Sequence, residues 1–188
     1  MISFKGNAMN KDHLANYNMT AEELAEWNSL AKQIYEDCAK AGVPKQYVDP
    51  RVKPYDFENN RGYCKEFGYY DVYTERGCND IRFLGSKADM RFYLLKEILF
   101  GFGTQTELQN RARLTLEWKL KYHAKYDSRK FHFEYKINKI HEILGQEYSA
   151  QLIREHTDHM NRWFPDKHWE FDLTERKFVE KFKSEEIE

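Results

Sequence analysis

The chain has 188 residues, of which 41% are hydrophobic and 32% charged, with 30 basic side chains against 31 acidic ones. This length and composition predict a single domain over residues 1–188 and exclude a chain that is disordered throughout. The near-neutral charge argues against the positive field of most nucleic-acid-binding proteins, and the lack of a run of ~20 apolar residues predicts a cytoplasmic protein without a membrane span.

The first predicted helix begins at Thr20, which forms a capping box with Glu23 three residues later. Apolar residues then recur at intervals of three and four, which predicts one buried stripe along the helix. The residues of this stripe are Leu24, Trp27, Ala31, Ile34 and Cys38. Gly42 and Pro44 supply a stop, so we expect a helix over about 21–41.

An extended connection and a small sheet are predicted next. Residues 43–62 contain three of the four prolines, which favours an extended chain. Aromatic and β-branched residues then predict strands at 63–67, 69–76 and 81–84, with a turn at 77–80. We interpret them as an antiparallel β-meander that must place one face on helices, because so few strands cannot form an independent core.

Four helices are predicted after the strands. The first begins at a capping-box pair, Ser86 with Asp89, and stops at Gly101 and Gly103. The second begins at the pair Thr104 with Glu107. The second helix should bury Leu108, Ala112, Thr115, Trp118 and Tyr122. Asp127 and Ser128 can cap the third helix, which stops at Gly145, and the fourth runs from about Glu147 to Trp163.

The C-terminal segment 166–188 has a weak helical pattern at Phe171, Phe178 and Phe182, followed by a charged end. Such a pattern predicts a tail that docks loosely on the domain. The predicted fold class is therefore α+β: an N-terminal helix, a small antiparallel β-meander, then four helices packed against it.

Residues with catalytic or metal-binding potential are few. The sequence contains no Gly-x-Ser-x-Gly elbow, and the widely spaced Cys38, Cys64 and Cys78 predict reduced thiols rather than a disulfide framework or a zinc site. His156 and His159 lie three apart on one predicted helix face and are weak metal-ligand candidates, with ordinary half-buried histidines as the alternative. We expect no catalytic residues, no cofactor and no metal.

Basic and aromatic side chains alternate over residues 129–139, a pattern found on surfaces that bind single-stranded nucleic acid. A helical period offers another interpretation, in which Phe133 and Ile137 point inward and Lys130, Glu134 and Lys136 face solvent. We favour this ordinary amphipathic helix and expect no nucleic-acid partner, although a nucleic-acid-binding regulator remains the alternative function.

Three short segments occur in a fixed order along the chain. They are Glu75-Arg76-Gly77 at the end of an aromatic strand, Glu107-Leu108-Gln109-Asn110-Arg111, and Asp127-Ser128-Arg129. Over about residues 69–165, this order resembles the immunity-protein family numbered sixty-three of bacterial polymorphic toxin systems. The sequence departs from the family pattern at Lys136, where a glutamine is expected.

The resemblance implies an α+β immunity protein that binds a cognate toxin domain and blocks it without chemistry. The residues that carry the resemblance are Tyr73, Glu75, Arg76, Gly77, Asn110, Arg111, Asp127 and Arg129. We expect Gly77 to allow the positive φ of a turn, and Glu75 and Arg76 to pair with Arg111 or Arg129 and join strand to helix. A scaffold role is favoured over direct toxin contact, because a motif shared by a whole fold should not encode binding to one partner. The toxin-binding surface is not assigned by the sequence.

Overall fold

The computed structural model describes residues 11–55, 58–122, 128–163 and 168–181, and their fold is α+β. The helices are α1 (Lys11–Ala15), α2 (Ala21–Lys40), α3 (Lys45–Val52), α4 (Lys87–Tyr122), α5 (Ser128–Leu144) and α6 (Gln146–Trp163). The strands are β1 (Asn59–Cys64), β2 (Gly68–Glu75), β3 (Cys78–Gly85), β4 (His168–Asp172) and β5 (Lys177–Lys181). The chain divides into two compact units, one with residues 11–36 and 48–94 and the other with 37–47 and 95–181.

The capping box predicted at the start of α2 is confirmed in the first unit. The Glu23 carboxylate accepts the Thr20 backbone N–H at 2.9 Å, and the Thr20 hydroxyl accepts the Glu23 backbone N–H at 3.3 Å. Glu23 also accepts the Lys65 backbone N–H at 2.9 Å. These donors explain why Glu23 is 3% exposed while Leu24, which we expected to be buried, is 39% exposed.

The predicted β-meander is confirmed as a three-stranded antiparallel sheet in the order β1-β2-β3. Successive residues of β2 point to opposite faces of the sheet. On one face Tyr70 and Val72 form a core cluster with Leu14 of α1 and Cys64. On the other face the Tyr69 ring lies 6.4 Å from the ring of Trp27 in α2. The central strand is therefore buried on both sides.

A buried ion pair joins the first two strands. Arg61 Nε donates to Asp71 Oδ1 at 3.1 Å, and both side chains are 3% exposed. Tyr93 OH donates to the second carboxylate oxygen of Asp71 at 2.8 Å. Arg61 Nη1 donates to the carbonyls of Pro50 and Arg51, which lie at the C-terminal end of α3.

Helix α3 corrects the prediction that residues 43–62 are extended. Val48 and Val52 lie one turn apart and are buried, and the Val52 carbonyl accepts the Trp27 indole N–H at 2.9 Å. Packing of this apolar pair and the Arg61 contacts at its C-terminal end stabilise a short helix despite Pro50. The prolines of this segment are therefore compatible with a helix that tertiary contacts support.

Helix α4 replaces the first two of the four helices predicted after the strands with one continuous helix. Gly101 and Gly103, expected to end a helix, lie in its interior, and the Thr104 hydroxyl bonds to the Phe100 carbonyl instead of capping a new helix. A Cβ on Gly103 would lie 2.9 Å from Tyr135 Cδ1. A glycine at 103 thus allows close packing within the second unit.

The C-terminal segment forms a β-hairpin, so the helical pattern predicted there is wrong. Phe171 and Phe178 are direct partners across β4 and β5, with ring centres 5.1 Å apart. Asp172 Oδ1 accepts the backbone N–H groups of Thr174 and Glu175, which closes the turn. Phe182, the third residue of the expected pattern, lies outside the described residues.

Asparagine side chains of α5 and α6 bind the hairpin to the helices of the second unit. The Asn161 amide of α6 both donates to the Trp169 carbonyl and accepts its N–H, at 3.2 and 2.7 Å. The Asn138 amide of α5 donates to the Arg176 carbonyl at 3.0 Å and accepts from the Arg176 side-chain Nε at 2.9 Å. The predicted stop of α5 at Gly145, whose φ is 88°, is confirmed, as is the extent of α6.

None of the described helices is both long and apolar enough to cross a membrane. The three cysteines are free: Cys38 and Cys64 are buried, whereas Cys78 is exposed at the start of β3. Burial raises the pKa of the Cys38 thiol to about 12.

Candidate functional site

Arg76 and Gly77 form the turn of the β2–β3 hairpin. Glu75 pairs with Cys78 across the strands, and the two loop residues between them have φ values of 51° and 78°. Positive φ at both central positions is the signature of a type I′ turn, whose twist matches that of the strands. The positive φ that we expected at Gly77 is confirmed.

The side chains of this turn point into solvent. Arg76 Nε lies 4.0 Å from Glu75 Oε1, with the two side chains 91% and 63% exposed. An arginine so exposed is not held in a buried ion pair, and its expected pairing with Arg111 or Arg129, which belong to the other compact unit, stays a prediction. Tyr73 does contribute to the scaffold, because the Arg82 guanidinium lies 3.8 Å from its ring centre and links β2 to β3.

The Glu107-Leu108-Gln109-Asn110-Arg111 segment lies within α4 and contains a two-pronged ion pair. Arg111 Nε and Nη2 donate to the two carboxylate oxygens of Glu107 at 2.9 and 2.7 Å. Glu107 has no exposed surface, while the Arg111 side chain is 53% exposed. Asn110 Nδ2 donates to the Thr106 carbonyl at 2.8 Å. Loss of Arg111 would leave the buried Glu107 carboxylate without its counter-charge, which is unfavourable, so this segment has a structural role.

Arg129 lies at the start of α5, with its guanidinium 4.4 Å from the ring centre of Trp163 at the end of α6. The contact joins the free ends of the α5–α6 helical hairpin, and Trp163 is still 46% exposed. Asp127, the other charged residue of this segment, lies outside the described residues.

The cations of residues 129–139 are less available than we expected. Lys130 is 6% exposed and pairs with Glu134, and burial raises the pKa of the Glu134 carboxyl. The Lys136 ammonium lies 5.5 Å from the ring centre of Phe100, and burial lowers its pKa. The predicted outward direction of these charges is wrong, because every residue of this segment is buried or half-buried.

His156 and His159, the weak metal-ligand candidates, belong to a row of stacked rings. The His156 ring is parallel to that of Phe133, and the His159 ring centre lies 5.1 Å from that of Trp163. The two imidazole centres are 6.5 Å apart with their planes at 24°. Within the part of the chain that the structure describes, no group of three or more His, Cys, Asp or Glu side chains could hold a metal ion.

The interior position of His156 favours its neutral form. Both of its ring nitrogens are buried and have no hydrogen-bond partner among the described residues. Burial, reinforced by the nearby Lys136, His159 and Lys96, lowers the pKa of His156 to about 3. At neutral pH this side chain is therefore an uncharged aromatic ring of the α5–α6 interface.

The C-terminal half of α4 carries four outward apolar residues, which we call the α4 outer face: Leu108, Ala112, Leu116 and Leu120. Its three leucines are 49%, 58% and 69% exposed, and Ala112 is also exposed. The opposite side of the helix is buried or half-buried at Gly103, Glu107, Asn110, Leu114 and Trp118.

The buried stripe predicted for this half of α4 is therefore wrong at Leu108, Ala112 and Thr115, which are exposed. Trp118 is half-buried, and the Tyr122 side chain lies outside the described residues. The sequence predicted Leu108 as buried and Glu107 as part of a helix cap, whereas Leu108 is exposed and Glu107 is buried in an ion pair with Arg111. The sequence did contain the signal, since leucines and an alanine recur every fourth residue from 108 to 120.

The sequence-predicted residues come together only locally. Glu107, Asn110 and Arg111 share one turn of α4, and Arg129 meets His159 through Trp163. Comparison of the chain with protein-family models, curated proteins and solved structures gives no match.

Proposed function

We propose that this chain is an immunity protein that binds a cognate protein toxin in the cytoplasm and neutralises it by occupying its surface, without catalysis. The proposal rests on the ordered motif segments and on the structural role of the residues in them. Gly77 and Arg76 form a turn, Glu107 and Arg111 a partly buried ion pair, and Arg129 a helix-end contact.

The observation that carries the proposal is the burial of Glu107 beneath Arg111. A shared motif that maintains a scaffold leaves the remaining surface free to differ with the toxin, and immunity proteins need that freedom because each must recognise its own partner. The same relationship would not be expected of a motif that supplies catalytic groups, which must remain accessible to a substrate.

Nucleic-acid binding, the second candidate, is less well supported by the geometry. It relied on the cations of residues 129–139, of which Lys130 is paired with Glu134 and Lys136 is half-buried against Phe100. Binding to phosphates would require these ammonium groups to reach the surface.

Co-expression with the toxin encoded by the adjacent gene tests the proposal. Cells that produce the toxin domain should survive when the full chain is co-expressed, and the two proteins should co-purify. An unrelated toxin domain serves as the control for specificity. Undiminished toxicity together with no co-purification would refute toxin neutralisation.

A further inference from the structure

We infer that the α4 outer face is the toxin-docking surface and that it receives an acidic protein surface with apolar residues at its centre. The inference rests on the proposed function and adds the location and chemistry of the contact. It follows from two properties of α4 beyond Gly103, namely its exposed leucines and the sign of its exposed charge.

The exposed leucines form a continuous strip on a regular helix. Leu108, Ala112, Leu116 and Leu120 are spaced by four residues, so they cover one side of α4 over a length of about 18 Å at 1.5 Å per residue. Isolated exposed leucines are normal on protein surfaces, but a row of them on one helix is typical of a helix that docks a partner.

The charge around this strip is positive. Residues 104–122 contain four basic and two acidic side chains. Each acid is paired with an arginine, Glu107 with Arg111 and Glu117 with Arg113, so the excess of two positive charges comes from the lysines of this segment. Glu117 pairs with the exposed Arg113 at 2.7 Å. Lys119, next to Leu120, is exposed as well. The excess of positive charge therefore lies at the C-terminal end of the apolar strip.

Charge complementarity selects the partner. A second copy of the chain would bring Lys119 near a surface with the same excess of positive charge, and like charges at an interface are unfavourable. An acidic partner surface would pair with Lys119 at the rim, while its apolar residues contact Leu116 and Leu120 at the centre. Such an arrangement, with an apolar core and a polar rim, is typical of protein interfaces.

Substitutions on the outer face test the inference with the full chain and the purified toxin domain from the adjacent gene. Leu116→Glu introduces a negative charge at the centre of the strip. Leu173→Glu is the matched control, because Leu173 is 65% exposed on the turn between β4 and β5. Lys119→Glu tests the sign of the partner's charge, with Lys32→Glu on the exposed side of α2 as its control.

We expect Leu116→Glu to weaken toxin binding by at least about 100-fold and to abolish protection, as truncation of a central contact often does. Lys119→Glu should slow association by roughly three-fold or more at low salt, and the wild-type association rate should fall as salt is raised. Both controls should bind as the wild type does. Unchanged circular dichroism would show that the variants are folded, as expected for substitutions at exposed sites.

Three results would overturn the inference. Wild-type affinity in Leu116→Glu would place the docking surface elsewhere, although toxin neutralisation would stand because the wild type protects. Faster association of Lys119→Glu would indicate a basic partner. A chain that is dimeric alone and becomes monomeric on Leu116→Glu would assign the face to a second copy. Failure of the wild type itself to bind toxin refutes the proposed function and is thus a distinguishable result.

Discussion

The imidazole of His156 lies flat against the ring of Phe133, with the ring centres 4.0 Å apart and the planes 5° apart. The pair joins α5 to α6, and its geometry suits two uncharged rings. Protonation would place a cation in a buried position beside Lys136 and Lys96, which explains why the pKa of His156 is lowered to about 3.

The first prediction is that acid destabilises the fold through His156. Between the ordinary histidine pKa of 6.5 and the folded value of about 3, the unfolded chain binds a proton that the folded chain does not. The contribution of neutral His156 to the free energy of unfolding is therefore complete above pH 6.5 and is lost as pH falls towards 3. Urea unfolding should show a loss of about 1–2 kcal/mol from this group between pH 7 and pH 5.

His156→Phe isolates this effect because it keeps the stacked ring and removes the titration. The variant should have a weaker pH dependence between pH 7 and pH 5, whereas His168→Phe, at a side chain 50% exposed, should behave as the wild type. Glu23, whose pKa is lowered to about 2 from an ordinary 4.5, loses its contribution to the free energy of unfolding only below pH 4.5, which is outside this range. An unaltered slope in His156→Phe would contradict the prediction.

The second prediction concerns Glu23, which accepts hydrogen bonds from the backbone N–H groups of Thr20 and Lys65 and from the hydroxyl of Tyr17. Glu23→Gln retains the size of the side chain but replaces one accepting oxygen with a donating NH₂ group. Because a buried donor then lacks its acceptor, we expect a loss of about 1–3 kcal/mol in the free energy of unfolding.

Glu22→Gln is the matched control, since Glu22 precedes Glu23 in the same helical turn and its side chain is 78% exposed. Its ion pair with Lys65 is surrounded by water, so chemical denaturation should detect little change. Equal effects of the two substitutions would mean that the hydrogen bonds of Glu23 do not stabilise the first unit.

The third prediction concerns the buried ion pair of Arg61 and Asp71. Asp71→Asn leaves the guanidinium buried without its counter-charge, which should cost about 3–5 kcal/mol of stability. The measurement is the midpoint of thermal or urea unfolding. Asp80→Asn, at an exposed partner of Lys11, provides the control and should leave the midpoint nearly unchanged. A midpoint for Asp71→Asn within experimental error of the wild type would refute this prediction.

The fourth prediction uses glycines that have free space around them. A Cβ on Gly77 or Gly101 would meet no atom within 4 Å, so the effect of alanine depends on backbone conformation alone. Gly77→Ala should destabilise the hairpin by about 1 kcal/mol or more, because Gly77 has a φ of 78°. Gly101→Ala should stabilise α4 by about 0.5–1 kcal/mol. The same sign of change in both variants would contradict the argument.

Local signals in the sequence predicted the fold wherever a short-range interaction determines the structure. The Thr20 and Glu23 box, the Ser86 and Asp89 cap, and the stop at Gly145 are all present. Each involves residues within three or four positions of one another, so no knowledge of the tertiary structure was needed. The β-meander followed from aromatic and β-branched residues in the same manner.

Tertiary contacts determined the features that the sequence could not predict. Gly103 reads as a helix stop, yet its role is to accommodate the ring of Tyr135. Phe171 and Phe178 are seven residues apart, a spacing that fits two helical turns as well as the partners of a hairpin. Glu107 is buried because Arg111 pairs with it. A prediction from hydrophobic periodicity, in contrast, assigns every carboxylate to the exposed side of a helix. The α4 outer face was missed for this reason.

Because Cys78 is exposed and the other two cysteines are buried, thiol labelling can distinguish the folded from the unfolded chain. A thiol-reactive dye added to the native protein should modify Cys78 and spare the buried Cys38 and Cys64. The label would then lie beside the Arg76-Gly77 turn without any substitution. During unfolding, a pulse of dye should raise the number of modified thiols per molecule from one towards three. Mass spectrometry of the labelled protein would then give the fraction of molecules that are unfolded.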